Sequence, residues 1–218
     1  MGMATRTTSI ALTQRDTELL EALTLRIRVL SIDQISRTWW PDSATTETAN
    51  RRVRQLVDAG YLSRVSLMAH PETPVHEAVC VWNQDDVVPD FGAVAWQLNS
   101  RWPEPLVNTD CVIATRFAGR FFGGYGGRKP RRAETTHDLH LSAVFLQMRT
   151  NQPHRSASWS SEEERKKDAG HGEKLPDAIV SDGDRKTAIE LGGKSYDREK
   201  LEGFHKFCVE QNLSYEIW

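Results

Sequence analysis

An α+β protein built in two parts is predicted by three features of this 218-residue chain. Three short amphipathic segments lie before residue 60, alternating apolar stretches with turn residues follow, and a helix, hairpin, helix, strand pattern begins near residue 136. The length exceeds the roughly 100–150 residues most common for one domain, which points to two small domains. Hydrophobic residues at 39%, charged residues at 27%, seven Trp and seven Phe supply material for packed cores and exclude disorder throughout. No run approaches the roughly 18 apolar residues of a membrane span, and the start MGMATRTTSIALTQRD has no apolar signal region. A cytoplasmic protein with no membrane partner is the expectation.

Residues 1–11 read as a mobile polar tail, with order beginning at Leu12. Thr13 can cap a helix whose stripe is Leu19, Leu20, Leu23, Ile27 and Leu30. Ser31 caps a second helix, with Ile32, Ile35 and Trp39 inward and Pro41 as its stop. Thr45 or Thr46 caps a third, striped by Ala49, Val53, Leu56 and Val57 and closed by Gly60. YLSRVSLM and HEAVCVWN then alternate on either side of a turn, MAHPETPV, and predict a hairpin. Three helices and a hairpin spell a winged helix-turn-helix domain over 12–84.

Residues 85–135 read as a connector, in which Asp90 can cap a helix through AVAWQLNSRW and FFGGYGGRKPRR forms an open Gly-rich basic loop. From 136 to 218 a helix through HDLHLSAVFLQMR precedes a polar stretch. PDAIVSD and KTAIELGG follow as strands joined by Asp182-Gly183-Asp184, then a helix over about 197–211 and the strand LSYEIW.

Net charge is only −2, yet Asp110–Arg155 holds eight Arg or Lys against three acids, the local excess that an anion-binding face requires. In a winged helix the third helix enters the major groove, where Asn can pair with adenine and Arg with guanine. Asn50, Arg51 and Arg54 are thus the base-reading candidates, with Thr45 and Thr46 at phosphates and Arg64 on the backbone from the first wing strand. Arg128, Lys129, Arg131 and Arg132 suit a flexible arm along a nucleic-acid backbone. The partner expected is double-stranded DNA, read by a homodimer for which Trp39, Trp40, Trp82, Trp96 and Trp102 offer aromatic surface, although each of them taken singly reads more readily as core. The alternative for the same helix is the solvated face of a protein-interaction module.

Cys80, Cys111 and Cys208 are too scattered for a disulfide framework or a zinc site and read as small buried residues. The histidines, His137 and His140 included, have no zinc-ligand spacing. The glycine run lacks the Lys-Ser/Thr ending of a P-loop, which excludes nucleotide hydrolysis of that kind.

A sharper constellation lies near the C-terminus. Asp177 heads one strand and Glu190 lies on the next, so a short hairpin brings two carboxylates together as ligands for Mg²⁺. Pro176-Asp177, then Glu190, with lysines nearby, resembles the PD-(D/E)XK nuclease fold. There the lysine stands two residues after the acid, but position 192 is glycine here. The resemblance therefore implies Lys200 on the following helix, or Lys194, in the catalytic role, and Glu163 as the additional acid. The pairing of an N-terminal winged helix with HDLHLSAVFLQMR, PDAIV, AIEL and a K-L-x-x-F helix resembles the replication-relaxation family and its restriction-endonuclease-like relatives. That likeness implies a DNA-binding protein of a plasmid or other mobile element, acting in replication or transcriptional control. Its nuclease-like half either cleaves with Mg²⁺ or only binds.

Overall fold

A computed structural model describes residues 10–74, 76–102, 104–168, 170 and 174–218. The expected tail at 1–9 and Val75 of the expected turn lie outside them. The chain is mixed α and β, and it folds as two compact units that are not consecutive in sequence. The first takes the described residues up to Ala69 together with Val107–Ser142; the second takes His70–Leu106 and Ala143–Trp218.

In the first unit, α1 (Gln14–Glu21) starts from Thr13 in a capping box with Asp16. It runs into a π-helical turn over Ala22–Arg26 and ends at Ile27 in extended backbone, so the expected stripe through Leu30 belongs only partly to a helix. Strand β1 (Leu30–Ser31) leads into α2 (Ile32–Trp39), where Ser31 and Gln34 complete a second capping box. Helix α3 (Glu47–Asp58) follows, and Gly60 after it has a φ of 80°, the left-handed conformation that stops the helix.

Strand β2 (Leu62–Ala69) leaves α3. The chain then makes β3 (Cys80–Trp82) and α4 (Phe91–Ser100), the latter capped by Asp90 as expected, and returns as β4 (Val107–Ala114). β2 and β4 pair antiparallel from Leu62 against Ala114 to Ala69 against Val107, and β1 joins the other side of β4 in the order β1-β4-β2. This corrects the expected hairpin between 61–68 and 76–83. The strand at 107–114 offers β2 a full-length ladder, whereas Cys80–Trp82 pairs with the last strand of the chain. There Cys80 and Trp82 bury one face and Trp82 stacks on Tyr215 at 5.3 Å. The sheet of the first unit closes over Val29, Leu67, Ala69, Cys111, Ile113 and Leu139.

After α5 (Arg116–Phe121), α6 (Thr135–Asn151) runs from the first unit into the second. The polar stretch that follows contains α7 (Pro153–Ala157), β5 (Ser160–Ser161) and α8 (Glu162–Arg165). Strands β6 (Ala178–Asp182) and β7 (Arg185–Glu190) form the expected hairpin, with Gly183 at φ 60° in its tight turn. Helix α9 (Arg198–Glu210) then crosses to β8 (Ser214–Ile217), which lies parallel to β7. The sheet order is β3-β8-β7-β6-β5, with every pair antiparallel except β7 with β8. One face packs Ala188, Tyr215 and Ile217 against Val94 and Leu98 of α4 and Leu201, Phe204 and Cys208 of α9. The three cysteines are buried and free, as expected, and burial pushes the Cys208 thiol up to about 12. No helix among the described residues is long and apolar enough to cross a membrane.

One ion pair ties α3 to α1. Arg52 donates from Nε to Asp16 Oδ1 at 2.9 Å and from Nη2 to Oδ2 at 2.5 Å, a two-point grip on a carboxylate that is only 1% exposed. Burial by itself pushes the Asp16 carboxyl up, but the hydrogen bonds from Arg52 and Thr13 outweigh it and hold the group below its ordinary 3.8. Asp16→Ala should lower unfolding free energy by about 3 kcal/mol in urea titration, because it leaves Arg52 uncompensated and removes half of a capping box. The folded state binds the proton less tightly than the unfolded chain. The pair therefore stabilises fully above pH 3.8, and its contribution disappears as pH falls through the lower folded value. Asp16→Asn should flatten that acid limb of the stability profile.

Candidate functional site

Two sets of side chains stand out, one in each unit. On α3 the apolar positions Ala49, Val53 and Leu56 are buried, which by helical spacing turns Glu47, Asn50, Arg51, Arg54 and Asp58 to the other side. Arg51 and Arg54 are exposed and make no hydrogen bond or ion pair among the described residues. Arg52, between them, is held inward by Asp16. Thr45 accepts from the Glu47 N–H at 3.4 Å, and Thr46 accepts from the Asn50 side-chain amide at 3.4 Å. Arg64 is already engaged: it grips Asp110 of β4 through Nε at 2.8 Å and through Nη2, and it donates to the side-chain Oδ1 of Asn50 at 2.9 Å. Neither Asn50 nor Arg64 presents an unused side chain: Asp110, opposite Ser66 and so diagonal to Arg64 across the ladder, takes the guanidinium together with Asn50.

The Gly-rich segment is not the open arm expected from its composition. Tyr125 N–H donates to the Thr24 carbonyl at 2.7 Å and Gly127 N–H to the Ala114 carbonyl at 2.7 Å, which dock the loop on the first unit. A Cβ at Gly126 would collide with the Thr115 carbonyl, so glycine here serves close backbone approach. Arg128 pairs with Glu134 at 2.9 Å, and Arg131 donates its backbone N–H to the same carboxylate at 2.9 Å, while Lys129 and Arg132 are exposed with no side-chain hydrogen bond or ion pair among the described residues.

In the second unit Asp177 and Glu190 stand side by side, one residue beyond the Ala178–Ile189 pair of the β6–β7 ladder. The Asp177 N–H donates to Glu190 Oε2 at 3.3 Å, and Asp177 Oδ2 accepts from the Leu191 N–H at 2.8 Å. Glu190 shares the sheet face of Ala188, beneath α9, and is 6% exposed. Its other oxygen, Oε1, accepts a short hydrogen bond from the hydroxyl of Tyr196, a buried residue in the turn before α9. Burial, with the negative charge of Glu190 behind it, drives the Tyr196 phenol well above its ordinary value, so the proton stays on tyrosine. The Lys200 ammonium lies over the Tyr196 ring, 3.6 Å from its centroid. Lys200 thus reaches the carboxylates through Tyr196, while Lys194 is exposed in the preceding turn.

Glu163 does not complete the pair. The backbone of Glu162, not of Glu163, reaches Asp177, donating to its carbonyl at 2.9 Å, and the Glu162 carboxylate is 3.0 Å from Lys166. Among the described residues no three His, Cys, Asp or Glu side chains gather as metal ligands. Two adjacent carboxylates suit a hard divalent cation chemically, with water completing its shell, and Asp177 and Glu190 would hold it.

The sequence reading missed Tyr196. Its only signal was an aromatic residue with a polar tip six positions after a strand acid. His205 packs between Trp82 at 4.8 Å and Phe91 at 5.4 Å, with its Nδ1 at 3.1 Å from the Tyr215 hydroxyl, and takes no part in the carboxylate cluster. Trp39, Trp82 and Trp102 fill cores, Trp40 lies under the Arg15 guanidinium, and Trp96 is 72% exposed.

Position 192 leaves little room for a side chain of any kind. A Cβ there would lie 2.5 Å from a methyl carbon of Leu98, which is fully buried on α4. Gly192→Lys should therefore destabilise the protein by about 1–3 kcal/mol through overpacking, read as a lowered Tm, and Leu98→Ala should relieve part of that loss in the double variant. Comparison of the chain with protein-family models, with curated proteins and with solved structures gives no match.

Proposed function

We propose that the protein binds double-stranded DNA through α3, and that its second unit is a nuclease-like domain serving binding or regulation. The observation that carries the reading is the contrast along α3: Arg52 is neutralised inside the unit while Arg51 and Arg54 stay exposed and unpaired. Three helices followed by an antiparallel sheet in the order β1-β4-β2 support a winged-helix reading, in which α3 enters the major groove and β2 and β4 form the wing. Lys129, Arg131 and Arg132, on the same unit, add positive charge for phosphates. A plasmid or mobile-element role in replication or transcriptional control, and a homodimer reading two half-sites, belong to the same proposal. Sedimentation with and without DNA tests the dimer.

For the second unit, the antiparallel run β5-β6-β7, the crossover helix α9 and the parallel strand β8 support a PD-(D/E)XK-like reading. The hydrogen bonds already made by Glu190 favour binding over cleavage. Asp177 beside Glu190 favours a second reading, a Mg²⁺-dependent endonuclease with Lys200 nearby. That reading requires plasmid nicking in Mg²⁺ or Mn²⁺ that Asp177→Asn or Glu190→Gln abolishes.

Arg51→Ala and Arg54→Ala should each weaken duplex binding by about tenfold or more. Where the lost contact is to a phosphate, the log–log salt slope should fall by about one unit. Fluorescence anisotropy at two salt concentrations measures both. Unchanged affinity in the double variant, with a native melting curve, would reject DNA binding through α3 and favour a protein-interaction module.

A further inference from the structure

We propose that α5 carries a second nucleic-acid site, a stacking platform for the unpaired bases of a single strand. It lies in the first unit and uses none of the α3 side chains assigned to duplex binding. Phe117 and Phe121 stand one helical turn apart on α5, 44% and 60% exposed, with ring centroids 6.2 Å apart. Tyr61, just before β2, backs both rings, at 5.1 Å from Phe117 and 5.9 Å from Phe121, and Phe122 touches Phe121 at 5.1 Å. Each of the two exposed phenylalanines follows an arginine. Arg116 and Arg120 are both exposed, and neither makes a hydrogen bond or ion pair among the described residues.

Backbone contacts hold the platform in shape. Thr115 caps α5 by accepting from the Ala118 N–H at 3.1 Å, its hydroxyl donates to the Gly60 carbonyl at 2.6 Å, and its N–H donates to the Tyr61 carbonyl at 3.0 Å. A Cβ at Gly119 would lie 2.7 Å from the Tyr125 carbonyl carbon, and one at Gly127 would lie 2.5 Å from Arg116 Cγ, so the loop after α5 packs back on the helix and on the Arg116 stem. Exposed rings beside unpaired guanidinium groups match a strand whose bases offer free faces and whose phosphates are anionic, whereas in a duplex those faces are already stacked. No acid occurs between Asp110 and Glu134, while six Arg or Lys do, so the local charge complements phosphate. A protein partner fits less well: two phenylalanines bury about 500 Å² at most, short of the roughly 800 Å² per side of a stable interface.

The test is fluorescence anisotropy of the full chain with a labelled oligothymidylate and with an abasic oligonucleotide of the same length, which keeps the phosphates and lacks the bases. Thermal melts are the folding control. The wild type should bind oligothymidylate at least tenfold more tightly than the abasic strand, a result that needs no variant to fold. Phe117→Ala and Phe121→Ala should each weaken oligothymidylate binding by about fivefold or more and leave the abasic strand unaffected, while Phe121→Trp should retain binding. Arg116→Ala combined with Arg120→Ala should weaken both strands and lower the log–log salt slope by about 1.4. The proposal is overturned if the wild type binds the two strands equally, or if a natively folded double variant, Phe117→Ala with Phe121→Ala, keeps its oligothymidylate affinity. It is also overturned if the wild type binds neither strand and sedimentation shows a dimer that the double variant dissolves, which assigns the rings to a second copy of the chain. Duplex-DNA affinity measured on the same samples reports separately on α3, so failure of the platform and failure of duplex binding give different results.

Discussion

The β2–β4 ladder is the constraint from which the rest of the architecture follows. Its eight consecutive residue pairs join segments separated by the whole of 70–106, and closing so long a loop costs conformational entropy that only extensive pairing and burial can offset. Cys111 to Ala114 supply that burial, all four side chains being enclosed. With the ladder fixed, the excursion must find its own partners. It does so by lending β3 to the edge of the second sheet and α4 to that sheet's covered face.

Charge on α3 is divided by the same packing. In sequence, three arginines outside the apolar stripe of α3 look equally available to a ligand. In the folded unit Asp16 takes up Arg52, and Asp110, delivered by β4, takes up Arg64 together with Asn50. The charge left for a ligand is smaller than the sequence suggests and confined to positions 51 and 54. Pairing of this kind stiffens the helix against its neighbours, which is useful where a few side chains must be presented in fixed register.

Local structure was legible where short-range chemistry decides it. The Thr13 and Ser31 capping boxes, the Gly60 stop, the Asp90 cap and the Gly183 turn all follow from one to four neighbouring residues. Pairing between distant segments was not legible. Residues 76–83 alternate as convincingly as 107–114, and nothing within either stretch says which will meet β2. The carboxylate pair was found because both acids lie on a tight hairpin, yet its state was not. That state depends on Tyr196 folding back from a turn and on Leu98 excluding any side chain at 192, contacts set by helices placed elsewhere in the chain.

The interleaving of the two units bears on how the chain folds as it is synthesised. Helix α3 and strand β2 leave the ribosome well before β4, so the first sheet waits until residue 114 has emerged. Strand β3 waits longer still, because its partner β8 follows only after α9. Neither unit can finish before the other has begun. A nascent chain stalled after α5 would hold a nearly complete first unit, with Trp82 and α4 still lacking the strand that buries them. Those exposed apolar side chains are the natural point for a chaperone to engage.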